Sequence, residues 1–370
     1  MRPARVIVVG GGVIGNMHAL FALRAGASVV HLERDEPASG ASVRNFGLVW
    51  VSGRAAGPEL QLALRARELW EEIGREIPDV GFRPNGSLTV VHTEDELAVL
   101  EQVVASADAG HRGLSLLGPE EVRRVNPGIT AGLLGALHCT RDAAVEPRLV
   151  PRAVRARLSQ SDRYERHSPC EVVDVDEHCA IDDAGRRHEA DLVVLCVGAV
   201  GTGAMRRIFD DGAVHRVLLH MAQTEPLGRA LTTSVADGNS LRYYPAFAPF
   251  ARTSLGAQAP DLARLGIQLL CQQRLDGSLT IGDSHEYDEP FDFDVHEEPI
   301  DLVEQLARTV IGPPFPRIER RWTGVYHQLR QVTDDELYLR REVAPGVVAV
   351  TGAGGRGMTL APAIAEETFA

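Results

Sequence analysis

Lysine is absent from this 370-residue chain, so all 38 of its Lys-plus-Arg residues are arginine. Arginine-biased codon usage accounts for the pattern, but the chemical consequence holds whatever the cause. Schiff-base catalysis, a lysine base and lysine-assisted oxygen activation are all excluded. Cysteine is scarce, limited to Cys139, Cys170, Cys179, Cys196 and Cys271, with no CxxC pair. An odd, scattered set reads as reduced thiols rather than a disulfide framework, and it removes paired-thiol redox chemistry. The histidines form no HExxH or Cys/His pattern, so no metal site is expected. No stretch reaches the ~18 apolar residues that span a bilayer. The first strand begins almost at the N-terminus, leaving no room for a signal peptide, and a cytoplasmic location is expected. Basic residues are also outnumbered: the net charge of −13 argues against nucleic acid or an anionic membrane as partner. A local basic pocket for a small anion remains compatible with that charge.

What is present is an ordinary globular composition, 44% hydrophobic and 24% charged, at a length that suits two connected domains. Residues 5–9 form an apolar run ending in glycines, which predicts a buried parallel strand. Residues 14–24 have helical spacing, and 28–32 form a second apolar strand closing in Glu33, which together make a short βαβ unit. Helices are predicted at 58–77, 94–107, 119–126, 147–158 and 299–311, and strands at 86–91, 128–138, 170–175, 190–197 and 347–350. The stretch 215–281 alternates strand-like pieces with turns, as an antiparallel sheet would. Parallel-strand signals occur at both ends and in the middle, so one domain is expected to be assembled from discontinuous segments.

The motif Gly10-Gly11-Gly12-Val13-Ile14-Gly15 satisfies GxGxxG between a strand and a helix. Glycines there permit a tight turn, close approach to a pyrophosphate and close helix–strand packing, and the helix N-terminus favours phosphate. Glu33 lies 18 residues beyond Gly15 at the end of the next strand, where a carboxylate can accept ribose hydroxyls. Its charge disfavours a 2′-phosphate. Two further small-residue stretches, GASVRNFG after the ribose acid and TGAGGRGMT near the C-terminus, let backbone approach a large planar ligand. Each alone is more often a simple loop. Together with the fingerprint they fit one extended cofactor, FAD, better than NAD.

Taken with the strand LVVLCVGA and the loop GAGGRGMTLAP, these motifs resemble the D-amino-acid oxidase family of FAD-dependent oxidoreductases, in the branch of glycine and sarcosine oxidases. The matching residues spread over the full chain. The resemblance implies noncovalent FAD held by the fingerprint, by Glu33 and Arg34, and by Ser42, Arg44 and Asn45. It places Val172 on the adenine side, Gly198 near the dinucleotide, and Gly354, Gly355, Arg356, Gly357, Met358 and Thr359 near the flavin pyrimidine. The chain departs from the amino-acid-oxidising members where Trp322-Thr323-Gly324-Val325-Tyr326-His327 stands in place of an Arg-Pro pair, followed by Asp334-Asp335. A substrate-carboxylate arginine is therefore in doubt there. No cysteine is placed in the C-terminal loop to tether a flavin. The combination of RYYPAF, WTGVYHQ and GAGGRGMTLAP resembles a branch associated with bacterial phosphonate catabolism.

The expected architecture is α/β, with a Rossmann-type FAD-binding domain from residues 1–80, 145–215 and 320–370. A mixed α+β substrate domain with an antiparallel sheet is expected from 81–144 and 216–319. The implied reaction is hydride transfer from the amine-bearing carbon of a small primary or secondary amine to flavin N5, with hydrolysis of the resulting imine. An aminoalkylphosphonate or N-methylated derivative is the sharper expectation, with a glycine- or sarcosine-type amino acid as the alternative. Oxygen or another acceptor would then reoxidise the flavin. Arg242, Tyr243 and Tyr244 are expected on one strand of the substrate domain, with Arg242 gripping the anionic end of the substrate. Tyr244 and His327 are the catalytic candidates, and Trp50, Tyr243 and Tyr326 the further substrate-binding ones. A nicotinamide-dependent dehydrogenase and a non-catalytic FAD-binding sensor are the rival readings.

Overall fold

The computed structural model describes residues 3–199, 204–208, 212–287, 289–292, 294–333 and 336–370. Asp334-Asp335 lies outside the described residues. Two sheets dominate. The first has six strands in the order Leu339–Ala344, Val347–Thr351, Leu192–Leu195, Arg5–Val9, Ser28–Leu32, Tyr164–His167. Every pairing is parallel except the edge hairpin of Leu339–Ala344 with Val347–Thr351. The apolar runs are explained by coverage of both faces: Ile7, Val9, Val193 and Leu195 face one core cluster, and Val6, Val8 and Val194 face another.

The crossover helix Val13–Arg24 lies between the sheet and the final helix Gly357–Phe369, and ten of its twelve residues are buried. Such a helix carries little polar face, which is why its periodicity is weak in the sequence. The helix Pro58–Glu76 packs on the outer side of Gly357–Phe369. Among the described residues, no helix is long and apolar enough to cross a membrane.

The second sheet has eight strands, in the order Ile318–Leu329, Val214–Pro226, Ser278–Gly282, Leu270–Gln273, Ser234–Ala236, Ser87–Val91, Gly135–Cys139, Leu114–Leu117. Only Ser234–Ala236 with Ser87–Val91 is parallel. Side chains alternate across it, as strand geometry requires. Val90 and Cys271 face a core shared with the helix Glu297–Ile311, whereas Val91 and Leu270 face a second core with Trp50, Tyr244 and Phe247.

Two expectations need correction. The strand Ile318–Leu329 pairs with Val214–Pro226 along nearly its whole length. Residues 320–329, expected with the parallel sheet, therefore join the eight-stranded sheet instead. The stretch 240–264 is not strand: it folds as three short helices, Ser240–Tyr243, Ala248–Ser254 and Pro260–Arg264. Pro249 and Pro260 lack the N–H a ladder needs, and both sit in first turns, where proline is at home.

Candidate active site

A cavity of about 730 Å³ runs from the C-terminal ends of the parallel strands to the inner face of the eight-stranded sheet. At its first end the chain turns sharply at Gly10, whose φ is +105°. A Cβ on Gly15 would lie 1.8 Å from the Gly10 carbonyl oxygen, so only glycine lets this helix start so close to the strand. Gly10, Gly12, Val13 and Ile14 line the cavity, whereas Gly15 is buried behind the turn and serves packing. The Ser42 hydroxyl accepts the Val13 N–H at 2.8 Å, joining the GASVRNFG segment to the helix start. Glu33 accepts the N–H of Gly11 and, at 2.6 Å, that of Asp35. Arg34 lines the cavity beside it and pairs with Asp35 at 3.0 Å.

Arg44 and Asn45 line the cavity but are occupied with holding the loop. Arg44 donates to the carbonyls of Ser39 at 2.7 Å and Thr323 at 2.8 Å, and the Asn45 amide bonds Ala41, Ser42 and Gly47. Val172 and Gly198 face the same space. At the other end come Gly354, Gly355, Arg356, Gly357, Met358 and Thr359, where the last helix begins. A Cβ on Gly198 or Gly357 would meet nothing within 4 Å, so both glycines border open space that a ligand can fill. Thr359 accepts the Trp50 N–H at 2.9 Å and donates to Leu48, while Trp70 donates to the carbonyls of Met358 and Thr359. The residues thus form a continuous cradle that fits FAD: a ribose acid, a glycine turn with a helix N-terminus, and a second helix N-terminus.

The far half of the cavity is aromatic and polar. Trp50 and Tyr244 are 1% and 6% exposed, with ring centroids 5.8 Å apart. Tyr243, Tyr326 and His327 join them on the wall. A Cβ built on Gly355 would lie 3.8 Å from the Tyr326 hydroxyl and 4.0 Å from that of Tyr243, so both hydroxyls point over the glycine loop. Burial lowers the pKa of His327 to about 4, with Arg216 adding to the shift, and its Nδ1 lies 3.1 Å from the Thr351 hydroxyl. Its imidazole is therefore neutral at physiological pH.

Arg242 does not line the cavity. It sits on the helix Ser240–Tyr243, where successive side chains are rotated by a third of a turn, so it does not share the cavity wall with Tyr243 and Tyr244. The positive charge comes instead from Arg54 and Arg356, the latter expected only as a cofactor residue. Arg54 is 3.8 Å and Arg356 3.4 Å from the same Glu59 oxygen; Arg54 and Glu59 are buried, and Arg356 is partly buried. The backbone holds the two guanidiniums: Arg54 donates to Trp50 at 2.9 Å and Arg356 to Ala353 at 3.1 Å. Burial lowers the pKa of Arg356 from its ordinary value, but an arginine stays protonated. Two arginines share one carboxylate, which leaves a positive charge in excess. Arg54, Glu59, Gln268, Asp283, His285 and Tyr287 line the cavity and escaped the reading of the sequence. Arg54 carried a faint signal, standing four residues after Trp50 beside Gly53, where a Cβ would come within 2.5 Å of the Tyr244 ring.

The family model described as "FAD dependent oxidoreductase" (DAO) matches residues 5–370. The chain belongs to the DAO family. One of the subunits of opine oxidase from Rhizobium meliloti is 28% identical over 153 residues, which is 38% of this chain and 41% of that protein. Glycine oxidase of Pseudomonas aeruginosa is 29% identical over 206 residues, 53% of this chain and 55% of that protein. The matches therefore span about half the length of these relatives or less. The crystal structure of glycine oxidase from Geobacillus kaustophilus superposes with a TM-score of 0.77 at 20% identity, covering 99% of this chain and 94% of that one. It shows a shared fold over the whole chain. The glycine turn, Glu33 and the C-terminal loop line the cavity of this DAO-family chain.

Proposed function

We propose that the protein uses noncovalently bound FAD to oxidise a small primary or secondary amine that carries an anionic group. The sharpest candidate is an aminoalkylphosphonate or its N-methylated derivative, with a glycine- or sarcosine-type amino acid as the alternative. The observation that carries this reading is the pair of arginines, buried Arg54 and partly buried Arg356, converging on the single buried carboxylate of Glu59 at the cavity wall. A buried cation in excess is costly unless an anion joins it, and guanidinium forks suit carboxylate and phosphonate alike. Similarity to a glycine oxidase and to a component of an opine oxidase supports the amine.

Bound FAD supplies the hydride acceptor, and oxygen or another acceptor takes the electrons onward. The chain's own residues orient and enclose. Arg54 and Arg356 fix the anionic end, and the walls of Trp50 and Tyr244 keep water from the reacting carbon. The neutral ring of His327 and the hydroxyls of Tyr243 and Tyr326 offer hydrogen bonds without adding charge. The five cysteines are all free and buried, which supports a reducing, cytoplasmic setting.

The test is anaerobic bleaching of the flavin band near ~450 nm by a panel of amino acids, N-methylated amines and aminophosphonates. Anionic amines should bleach it and their uncharged esters should not. Bleaching by hydroxy acids alone, or by no amine at all, would overturn the proposal.

A further inference from the structure

Besides the arginines, the cavity wall carries a second polar patch of contrary sign. Gln268 and Asp283 are a cross-strand pair that exchange both backbone hydrogen bonds, Asp283 N–H to Gln268 at 3.0 Å and Gln268 N–H to Asp283 at 3.4 Å. Residues so paired project their side chains from the same face of the sheet. That face is the cavity face: Leu270, two residues from Gln268, and His285, two residues from Asp283, also line the cavity. Asp283 is 6% and Gln268 3% exposed. The Oδ1 of Asp283 and the Oε1 of Gln268 are both buried and have no hydrogen-bond donor. Among the described residues no arginine or histidine forms a salt bridge with Asp283.

The Gln268 side chain hydrogen-bonds the Asp283 carboxyl, yet among the described residues Asp283 Oδ1 and Gln268 Oε1 are left without a donor at the cavity wall. Leaving a buried carboxylate oxygen bare carries the full cost of its desolvation, so such a group marks a place where a donor is expected to arrive. His285 commits its Nδ1 to the Gly266 carbonyl at 2.9 Å and stacks on Tyr243 with centroids 4.7 Å apart. Tyr243, Tyr287 and Tyr326 surround the carboxylate closely enough for its charge to push all three phenols further up. Burial likewise raises the pKa of Asp283, against the lowering effect of His285 and Gln268. An ammonium group answers this arrangement: it brings up to three N–H donors, a charge that offsets the carboxylate, and a surface that aromatic rings attract.

Building on the amine reading above, we propose that Asp283 with the carbonyl of Gln268 is the cation-binding pole of the cavity and selects substrates that arrive as zwitterions. The ammonium sits at Asp283 and the anion at Arg54 and Arg356. Substrate is thereby aligned along the axis between the two poles, with the amine-bearing carbon beneath the hydroxyls of Tyr243 and Tyr326. Asp283 is a specificity-determining residue that touches substrate directly, and Gln268 positions it while supplying a second acceptor.

The test uses the FAD-loaded enzyme and pairs of ligands that have no hydrogen on the amine-bearing carbon, so none can be oxidised. One pair is 2-aminoisobutyrate and its hydrocarbon twin 2,2-dimethylpropanoate. The other is 2-amino-2-methylpropylphosphonate and 2,2-dimethylpropylphosphonate. Each is titrated by perturbation of the oxidised flavin spectrum. In wild type the amine member of a pair should bind roughly 10- to 100-fold more tightly than its twin, as a charge-assisted hydrogen bond provides. Asp283→Asn should erase the preference while leaving affinity for the twin and the FAD content unchanged. Gln268→Leu should narrow it, and Asp283→Glu should retain part of it. If Asp283→Asn fails to load FAD, Gln268→Leu alone decides. Equal binding of twins in wild type, or a preference that survives both Asp283→Asn and Gln268→Leu, overturns the cation pole and leaves the amine reading standing. If no ligand perturbs the flavin and no amine reduces it, the amine reading itself has failed and the cation pole falls with it.

Discussion

At the scale of single residues, two carboxylates with contrasting surroundings do different work. Glu33 already accepts two backbone N–H groups and has lone pairs left for a ribose. Glu33→Ala should lower FAD occupancy by removing a charge-assisted bond worth about 1.5–3 kcal/mol. A variant that purifies fully loaded with unchanged FAD affinity would show that Glu33 has another task. Glu59 instead neutralises only one of two arginines. Replacing Arg356 by methionine should raise the apparent dissociation constant of an anionic amine by about 10-fold or more, because a buried guanidinium–anion contact is worth about 1.4 kcal/mol or more. Arg242→Ala should change neither binding nor the flavin spectrum, since that side chain lies off the cavity. A large effect of Arg242→Ala with none from Arg356→Met would place the anion elsewhere.

At the scale of elements, the cofactor half of the site was legible because its constraints are local. The strand Arg5–Val9, the turn at Gly10, the helix Val13–Arg24 and Glu33 follow one another within a single βαβ unit. Gly15→Ala should abolish FAD loading, for its new methyl would stand 1.8 Å from the Gly10 carbonyl, and either the turn or the helix start must move. Absorbance at the flavin band of the purified variant decides this, and a yellow protein would contradict it. The substrate half was legible only in part. Tyr243, Tyr244, Tyr326, His327 and Trp50 were read from chemistry-bearing residue types, and all five reach the cavity. Arg242 failed because its neighbourhood is helical, and a strand-based count of faces puts the wrong side chain inward. Asp283 and Gln268 come together only through a cross-strand pairing that no sequence period displays. Glu59 lies in the first turn of a helix, where an acidic residue usually means favourable placement near the N-terminus, and its burial cannot be read from that pattern.

At the scale of the whole molecule, four buried histidines, His18, His31, His220 and His327, have pKa values lowered to about 4, chiefly by burial. Between the ordinary histidine value of 6.5 and about 4, the unfolded chain binds protons that the folded chain refuses. Their contribution to stability is therefore full above pH 6.5 and is lost progressively as the pH falls toward 4. Melting temperature should stay level down to about pH 6.5 and fall from there to pH 5, and His31→Asn should flatten part of that slope. A melting temperature constant over this range would contradict the assignment of neutral buried rings. Noncovalent attachment of FAD is the expectation at this scale: Cys196 packs beneath the Gly10 turn and Cys170 lies near the ribose end, and neither stands in the C-terminal loop. Acid denaturation should release all yellow colour into the supernatant; colour kept by the pellet would refute this.

The strand order of the parallel sheet also sets a timetable for biosynthesis. Leu192–Leu195 separates Arg5–Val9 from Val347–Thr351, and the final helix Gly357–Phe369 lies against the first one. The glycine turn precedes its far wall along the chain by most of the two sheets, so synthesis delivers the two separately. The cradle can close only once Gly357–Phe369 has been made, so vitamin-derived cofactor joins after that segment rather than guiding the folding of the first one. Scarcity of riboflavin in the growth medium would then leave fully synthesised apoprotein, not stalled or shortened chains.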